Sequence, residues 1–195
     1  MTKVIVVAGP PGSGKNTQAD FISQEFGFPH FDTGDILRRL KREGAIKDNE
    51  MEKGNLMDPT VVREIFKREI KELTKSGPGG VVLTGTLRTA EESFGSFGEE
   101  GLIQWLENNY GRSNLLFLII DISTAESIKR NSIRNEGRPD DDPEIIKVRL
   151  AEYDNKTKPV FQRLSREGYK VIIVDGMPDR ATIFEDIKDH LRQWL

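Results

Sequence analysis

The chain has 195 residues, 31% of them charged, 36% hydrophobic, and a formal net charge of -3. That length suits one α/β domain with small inserts, and the interspersed charge offers no basic field for nucleic acid. Cysteine is absent, which excludes disulfides, thiolate zinc sites and cysteine nucleophiles. Neither a signal-like segment nor a long apolar run is present, so the expected location is cytoplasmic, with no membrane partner.

The stretch VIVVAGPPGSGKNTQADFISQEF at residues 4–26 organises the rest. Val4, Ile5, Val6 and Val7 form a continuous β-branched run, the pattern of a strand covered on both faces. Gly9, Gly12 and Gly14 allow a tight turn, and Lys15 stands at the mouth of a helix with Ala19, Ile22 and Phe26 on one face. Inward-pointing N–H groups, a helix N-terminus and a lysine make a polyanion site. This is the P-loop G-x-x-x-x-G-K in its strand–loop–helix setting. Ser or Thr follows the lysine in most such loops and meets magnesium; here Asn16 follows, with Thr17 one further on.

Further apolar runs at 81–84, 115–120 and 171–174, with a short one at 28–31, complete a predicted five-stranded sheet. Helical patterns separate them, which argues βαβ units and a parallel α/β fold. Ligands in such sheets sit beyond the carboxyl ends of the strands. Gly9, Thr84-Gly85 and Asp175-Gly176 mark those ends and predict a cleft along one edge.

In chain order, Asp32 or Thr33 caps a helix with Ile36, Leu37 and Leu40 inside and Arg38, Arg39, Lys41 and Arg42 outside. Asp58 and Pro59 open the next helix, with Val61, Val62, Ile65, Phe66, Ile70 and Leu73 at helical spacing. Arg88 follows a buried strand's end, where an arginine reads as an anion clamp. Leu102 to Asn108 forms a short helix. Ser123 to Glu126 is a capping box opening a helix that carries Arg130 and Arg134 on one face. Arg138, Asp140 and Asp141 lie in a polar loop, Asp142 and Pro143 start another helix, and Pro159 is expected to interrupt it. His30 and His190 read as packed or surface residues.

Separated stretches spanning nearly the whole chain resemble the adenylate kinases and their nucleoside-monophosphate kinase relatives. GPPGSGKNTQ resembles that family's P-loop, in which Thr17 has a counterpart while Gly usually stands at Asn16. DTGDILR resembles its STGDMLR segment, and GNLMDP resembles the loop over the acceptor base. In the last third, Arg130 and Arg134, then Gly137, Arg138, Asp140 and Asp141, then Arg149 reproduce the family's lid order.

The resemblance implies a P-loop NTPase-type fold over residues 1–195, with an acceptor-binding insert at about 32–75 and a short lid without zinc at about 134–141. It implies transfer of the γ-phosphoryl group of Mg-ATP to a nucleoside monophosphate, AMP first, by a monomer. ATP is expected at Gly12, Ser13, Gly14, Lys15, Asn16, Thr17, Arg130 and Arg134. The acceptor is expected at Thr33, Arg38, Asn55, Leu56, Met57, Gly85, Arg88, Glu92, Arg138 and Arg149. Lys15, Arg88, Arg134, Arg138 and Arg149 are the expected catalytic cations, with Mg2+ watered by Thr17 and Asp35.

Departures from the family pattern bear on both magnesium and specificity. The family's D-G-F-P-R at the third strand's end is Thr84-Gly85-Thr86-Leu87-Arg88 here, so a carboxylate is missing and weaker magnesium handling is expected. Glu92 replaces a base-reading Gln; an ionised Glu only accepts hydrogen bonds, which favours guanine over adenine, unless the altered loop turns Glu92 to solvent and another group reads the base. GMP or CMP acceptors, or a weakly catalytic ATP-binding sensor, are the alternative readings.

Overall fold

The computed structural model of the protein describes residues 2–46, 53, 55–96, 98–133 and 142–195. At its centre the amino-terminal apolar run forms β1 (Lys3–Ala8), buried from Val4 onward. It lies between β3 (Gly80–Thr84) and β4 (Leu115–Asp121), with β2 (His30–Asp32) outside β3 and β5 (Lys170–Asp175) outside β4. All four pairings are parallel. The predicted strand at 28–31 starts two residues later: Pro29 has no N–H for the ladder, although its carbonyl accepts from Val82 at 2.9 Å.

Both faces of the sheet are covered, which is why β1, β3 and β4 read as unbroken apolar runs. On one face Val4, Val6, Leu83 and Phe117 pack with Phe66 of α3 (Pro59–Leu73), Trp105 of α5 (Leu102–Tyr110) and Phe161 of α8 (Lys158–Arg166). On the other, Ile5, Val7, Val82, Leu116 and Leu118 pack with Ala19 and Ile22 of α1 (Lys15–Phe26) and Ile183, Ile187 and Leu191 of α9 (Arg180–Trp194). The alternation along each strand sends neighbours to opposite cores. A smaller cluster of Leu37, Leu40, Met57, Val62 and Ile65 joins α2 (Thr33–Arg42) to α3.

Helix ends follow the cap residues. Asp32, rather than Thr33, caps α2 by accepting from the N–H groups of Gly34 and Asp35, and Asp58 caps α3 the same way. Ser123 accepts from the Glu126 N–H at 3.2 Å to open α6 (Thr124–Ile133), and Asp142 accepts from the Glu144 N–H at 2.8 Å to open α7 (Pro143–Glu152). A one-turn α4 (Ala90–Phe94), too short to show a period, follows β3. Pro159 does not break the tract after α7 as expected. A π-helical stretch, Tyr153–Thr157, carries the chain into α8, where Pro159 stands in the first turn and needs no N–H partner.

No helix among the described residues is long and apolar enough to cross a membrane. Phe117 lies at the heart of the larger core, with ring contacts to Phe161 at 6.3 Å and Tyr169 at 5.7 Å. Its replacement leaves a cavity that a sheet between two helix layers cannot collapse. Phe117→Ala is expected to cost about 3–5 kcal/mol in urea unfolding; a loss below about 1 kcal/mol would contradict this packing.

Candidate functional site

The P-loop is shaped by what lies beneath it. Gly12 has φ +77°, and a side chain there would meet Asn131 Nδ2 at 2.6 Å. Asn131 in turn donates to the Ser127 carbonyl at 2.8 Å, and the Ser127 hydroxyl donates to the Pro11 carbonyl. These two buried polar residues of α6 brace the loop from below, a role that sequence reasoning missed. Gly14, left-handed at φ +84°, leads into α1, whose first turn has no side-chain cap. Its N–H groups are then available to an anion. Lys15 Nζ lies 3.4 Å from the Pro10 carbonyl, and the buried Ser13 hydroxyl has no protein partner among the described residues.

Beyond the carboxyl ends of the strands opens a cleft of about 1760 Å³. Pockets for a single small ligand span roughly 300–1,000 Å³, so this cleft is larger than one such ligand needs. Lys15, Arg38, Arg88, Arg130 and Arg149 all line it, together with Ser13, Gly14, Asn16, Thr17, Asp35 and Gly85. The predicted edge cleft is therefore present, and it gathers cations from both halves of the chain.

Asn16 does not simply replace a hydroxyl. Its side-chain amide donates to the Asp32 carboxylate, tying the start of α1 to the cap of α2. Asp32 lies directly across from Thr84 in the β2–β3 register. A carboxylate thus stands one strand over from the position where the resembled pattern has one. Thr84 is fully buried, and its hydroxyl pairs with His30 Nε2 at 2.9 Å; His30 Nδ1 lies 2.8 Å from Asp20. His30 is spent on both nitrogens, so its reading as a packed residue fits the geometry.

The loop after β3 carries Arg88 into the cleft. Leu87, completely buried, has φ +57°, a left-handed conformation uncommon for a branched residue. Burial lowers the affinity of the Arg88 guanidinium for its proton, and the charge of Arg149 adds to this; Glu92, Asp32 and Glu152 oppose it. Arginine nevertheless stays charged in proteins. Two cations converging in a half-enclosed cleft form a receptor for an anion.

Glu92 requires a correction. It is not turned toward a base in the cleft. Its carboxylate is buried at 3% exposure and accepts from the Thr86 hydroxyl at 3.1 Å, the Leu87 N–H at 2.7 Å and the Arg88 N–H at 3.0 Å. Burial raises its pKa, against the lowering effect of these bonds and of the Arg88 charge. The sequence signal was available: Thr89-Ala90-Glu91-Glu92 has capping-box spacing. Thr89 accepts from the Glu92 N–H at 3.0 Å, but the Glu92 carboxylate reaches past Thr89 into the loop.

Other expected residues divide. Arg38 pairs with Asp35 at the cleft wall, so the proposed magnesium-side carboxylate already has a cationic partner. Arg130 is held by Glu126 at 2.8 Å and reaches the Met177 carbonyl at 3.3 Å, beside the cleft residues Pro178 to Ala181. Thr33 is buried, and its hydroxyl has no protein partner among the described residues. Met57 packs into the α2–α3 cluster, with Asn55 and Leu56 half-buried just before it. Arg134, Gly137, Arg138, Asp140 and Asp141 lie outside the described residues.

A family model described as an AAA domain matches residues 8–147, from the P-loop into α7. Adenylate kinase of Encephalitozoon cuniculi is 31% identical over 94% of this chain and 95% of its own length. Human adenylate kinase isoenzyme 1 is 32% identical over 97% of this chain and 94% of its own. UMP-CMP kinase 1 of Oryza sativa subsp. japonica is 31% identical over 95% of this chain and 72% of its own length. With a P-loop opening on a large cation-lined cleft, and relatives of this identity along almost its entire length, the chain belongs to the adenylate kinase family.

Proposed function

We propose that the protein transfers the γ-phosphoryl group of ATP to a nucleoside monophosphate, AMP first, giving two diphosphates. The observation that carries this reading is the meeting of Arg88 and Arg149 in the same cleft as the P-loop lysine. Arginines beyond the P-loop lysine can serve the phosphates of one nucleotide or of two, and the adenylate kinase and UMP-CMP kinase relatives favour the second case. Further cations from the loop after β3 and from α7 serve a second phosphate group.

In this reading Gly12 to Thr17 cradle the phosphates of ATP, and Arg130 lies along the donor base. Arg38, Arg88 and Arg149, which all line the cleft, hold the acceptor phosphate. Thr33, expected beside the acceptor base, is buried outside the cleft lining. The bond from the γ-phosphorus to the β-phosphate oxygen breaks, and its electron pair stays on that oxygen. A bond forms from the γ-phosphorus to an acceptor phosphate oxygen. That nucleophile is already largely ionised near neutral pH, since a phosphate's second pKa is about 6. No general base is needed, and catalysis rests on alignment and charge neutralisation. Arg134 and Arg138 belong to the proposed lid, which excludes water as a rival acceptor.

Magnesium would find oxygen-bearing side chains in Thr17 and Asp35, which line the cleft beside the phosphate loop, with Asp35 already paired to Arg38. This hard cation takes one or two carboxylates with substrate phosphates and water. Asp32 also lines the cleft, but its carboxylate already accepts from the Asn16 amide and from the N–H groups of Gly34 and Asp35. When bound, the ion neutralises charge on the transferring phosphates. The α2–α3 cluster supports an acceptor-binding insert at about 32–75. A cytoplasmic monomer completes the proposal.

A panel of Mg-ATP with AMP, GMP, CMP, UMP and dAMP, read as diphosphate products, tests the function. Fast transfer to AMP is expected. The UMP-CMP kinase relative and the engagement of Glu92 within its own loop make another monophosphate the second reading, and preference for one would select it. ATP binding without transfer to any acceptor would contradict both readings and leave a binding module.

Arg88→Ala is expected to lower kcat/KM for the monophosphate by roughly a hundredfold or more, since it removes an oriented charge from the phosphates. Its Kd for ATP is expected to stay within about twofold of wild type, because the P-loop is untouched. Unchanged acceptor kinetics would remove Arg88 from the acceptor site.

A further inference from the structure

The family places no demand on Glu92 that its geometry here would meet, so its buried carboxylate calls for another account. Its three donors are consecutive: the Thr86 hydroxyl and the N–H groups of Leu87 and Arg88. A left-handed residue in a turn points successive N–H groups into one concavity, a nest that ordinarily receives an anion. Leu87 is that left-handed residue. The nest is filled from within the chain, by a side chain four residues past Arg88.

The backbone of Arg88 is held from the other side as well. The Thr157 hydroxyl donates to the Arg88 carbonyl at 2.9 Å. Thr157 closes the π-helical stretch that continues α7, the helix of Arg149. Helix α4, which carries Glu92, is itself anchored: buried Arg63 of α3 donates to the Glu91 carbonyl at 3.0 Å and pairs with Glu99. Arg88 thus rises from a backbone fixed at both its N–H and its carbonyl, and each fixture comes from a different element.

We infer that Glu92 is a positioning residue for phosphoryl transfer: its carboxylate fills the Leu87–Arg88 nest, holds the left-handed turn and so aims the Arg88 guanidinium at the acceptor phosphate. This rests on the phosphotransfer reading above. It turns a position where base recognition was expected into a support for the cationic clamp. Glu92 is also the acidic group that most favours the charged form of Arg88, against burial and the charge of Arg149. The acceptor phosphate therefore meets a guanidinium whose backbone is fixed before substrate arrives.

Glu92→Gln keeps the shape and replaces one acceptor oxygen with a donor amide, leaving one of the nest donors without a partner. Thermal melts of each variant first establish folding, and wild-type transfer to the best acceptor establishes the reaction itself. The expected result is a fall of roughly tenfold to a hundredfold in acceptor kcat/KM, since small misplacements of a clamp carry that cost. The Kd for ATP should stay within about twofold, as the P-loop is untouched. In an Arg88→Ala background the same substitution should cost less than about twofold, because a positioning residue has nothing left to aim.

Wild-type acceptor kinetics in Glu92→Gln would overturn the inference, as would an equal loss with and without Arg88. If Glu92→Gln does not fold, Thr157→Val decides, because it releases the carbonyl side of the same residue, Arg88. A fall in acceptor kcat/KM that vanishes in the Arg88→Ala background supports positioning; unchanged kinetics overturn it. Absence of transfer by the wild-type protein would instead fail the phosphotransfer reading itself, and the inference with it.

Discussion

Like charges resist being brought together, and two arginines facing one cleft are the constraint from which the rest of this structure follows. The field of Arg149 lowers the proton affinity of Arg88, on top of the cost of burial. Such an arrangement has a use when anions come between the charges, and phosphates are the anions that a P-loop gathers. Around this centre the fold supplies rigidity. Arg88 leaves the end of a buried central strand, Lys15 opens a helix packed on the opposite face, and Arg149 comes from a helix tied back through Thr157.

Rigidity at the site is bought with local strain and buried polarity. The left-handed Leu87, the enclosed Glu92 and the braced glycines of the P-loop each cost stability in isolation. Each is over-determined by its neighbours: Glu92 by three donors, the P-loop by Ser127 and Asn131. The large two-sided core of the parallel sheet supports these local costs. Asn16 and Asp32 add a link between the start of the donor-binding helix and the start of α2, so the two proposed nucleotide sites share a wall.

Much of this was legible in the sequence, and the reason is periodicity. β1, β3 and β4 declared themselves as apolar runs because both faces are covered, and Asp58-Pro59 announced α3 because cap chemistry is local. The glycines and Lys15 located the cleft because motif and element order coincide. What the sequence hid depends on which strand ends become neighbours or on where a loop turns. Asn16 and Asp32 are sixteen residues apart and meet across a strand end and a helix start. Glu92 lies at family spacing from Arg88, yet the direction of its carboxylate depends on a φ angle at Leu87 that no propensity assigns to leucine. Pro159 was read as a breaker because the π-helical register ahead of it leaves no periodic mark.

The central claim is that donor and acceptor occupy adjoining halves of one cleft at the same time. Calorimetric titration of AMP into protein saturated with a non-transferable Mg-ATP analogue tests this most directly. Simultaneous occupancy predicts one further equivalent of AMP bound, with an affinity that weakens in Arg88→Ala. Displacement of the analogue by AMP, with no additional equivalent bound, would mean a single nucleotide site and would contradict the account.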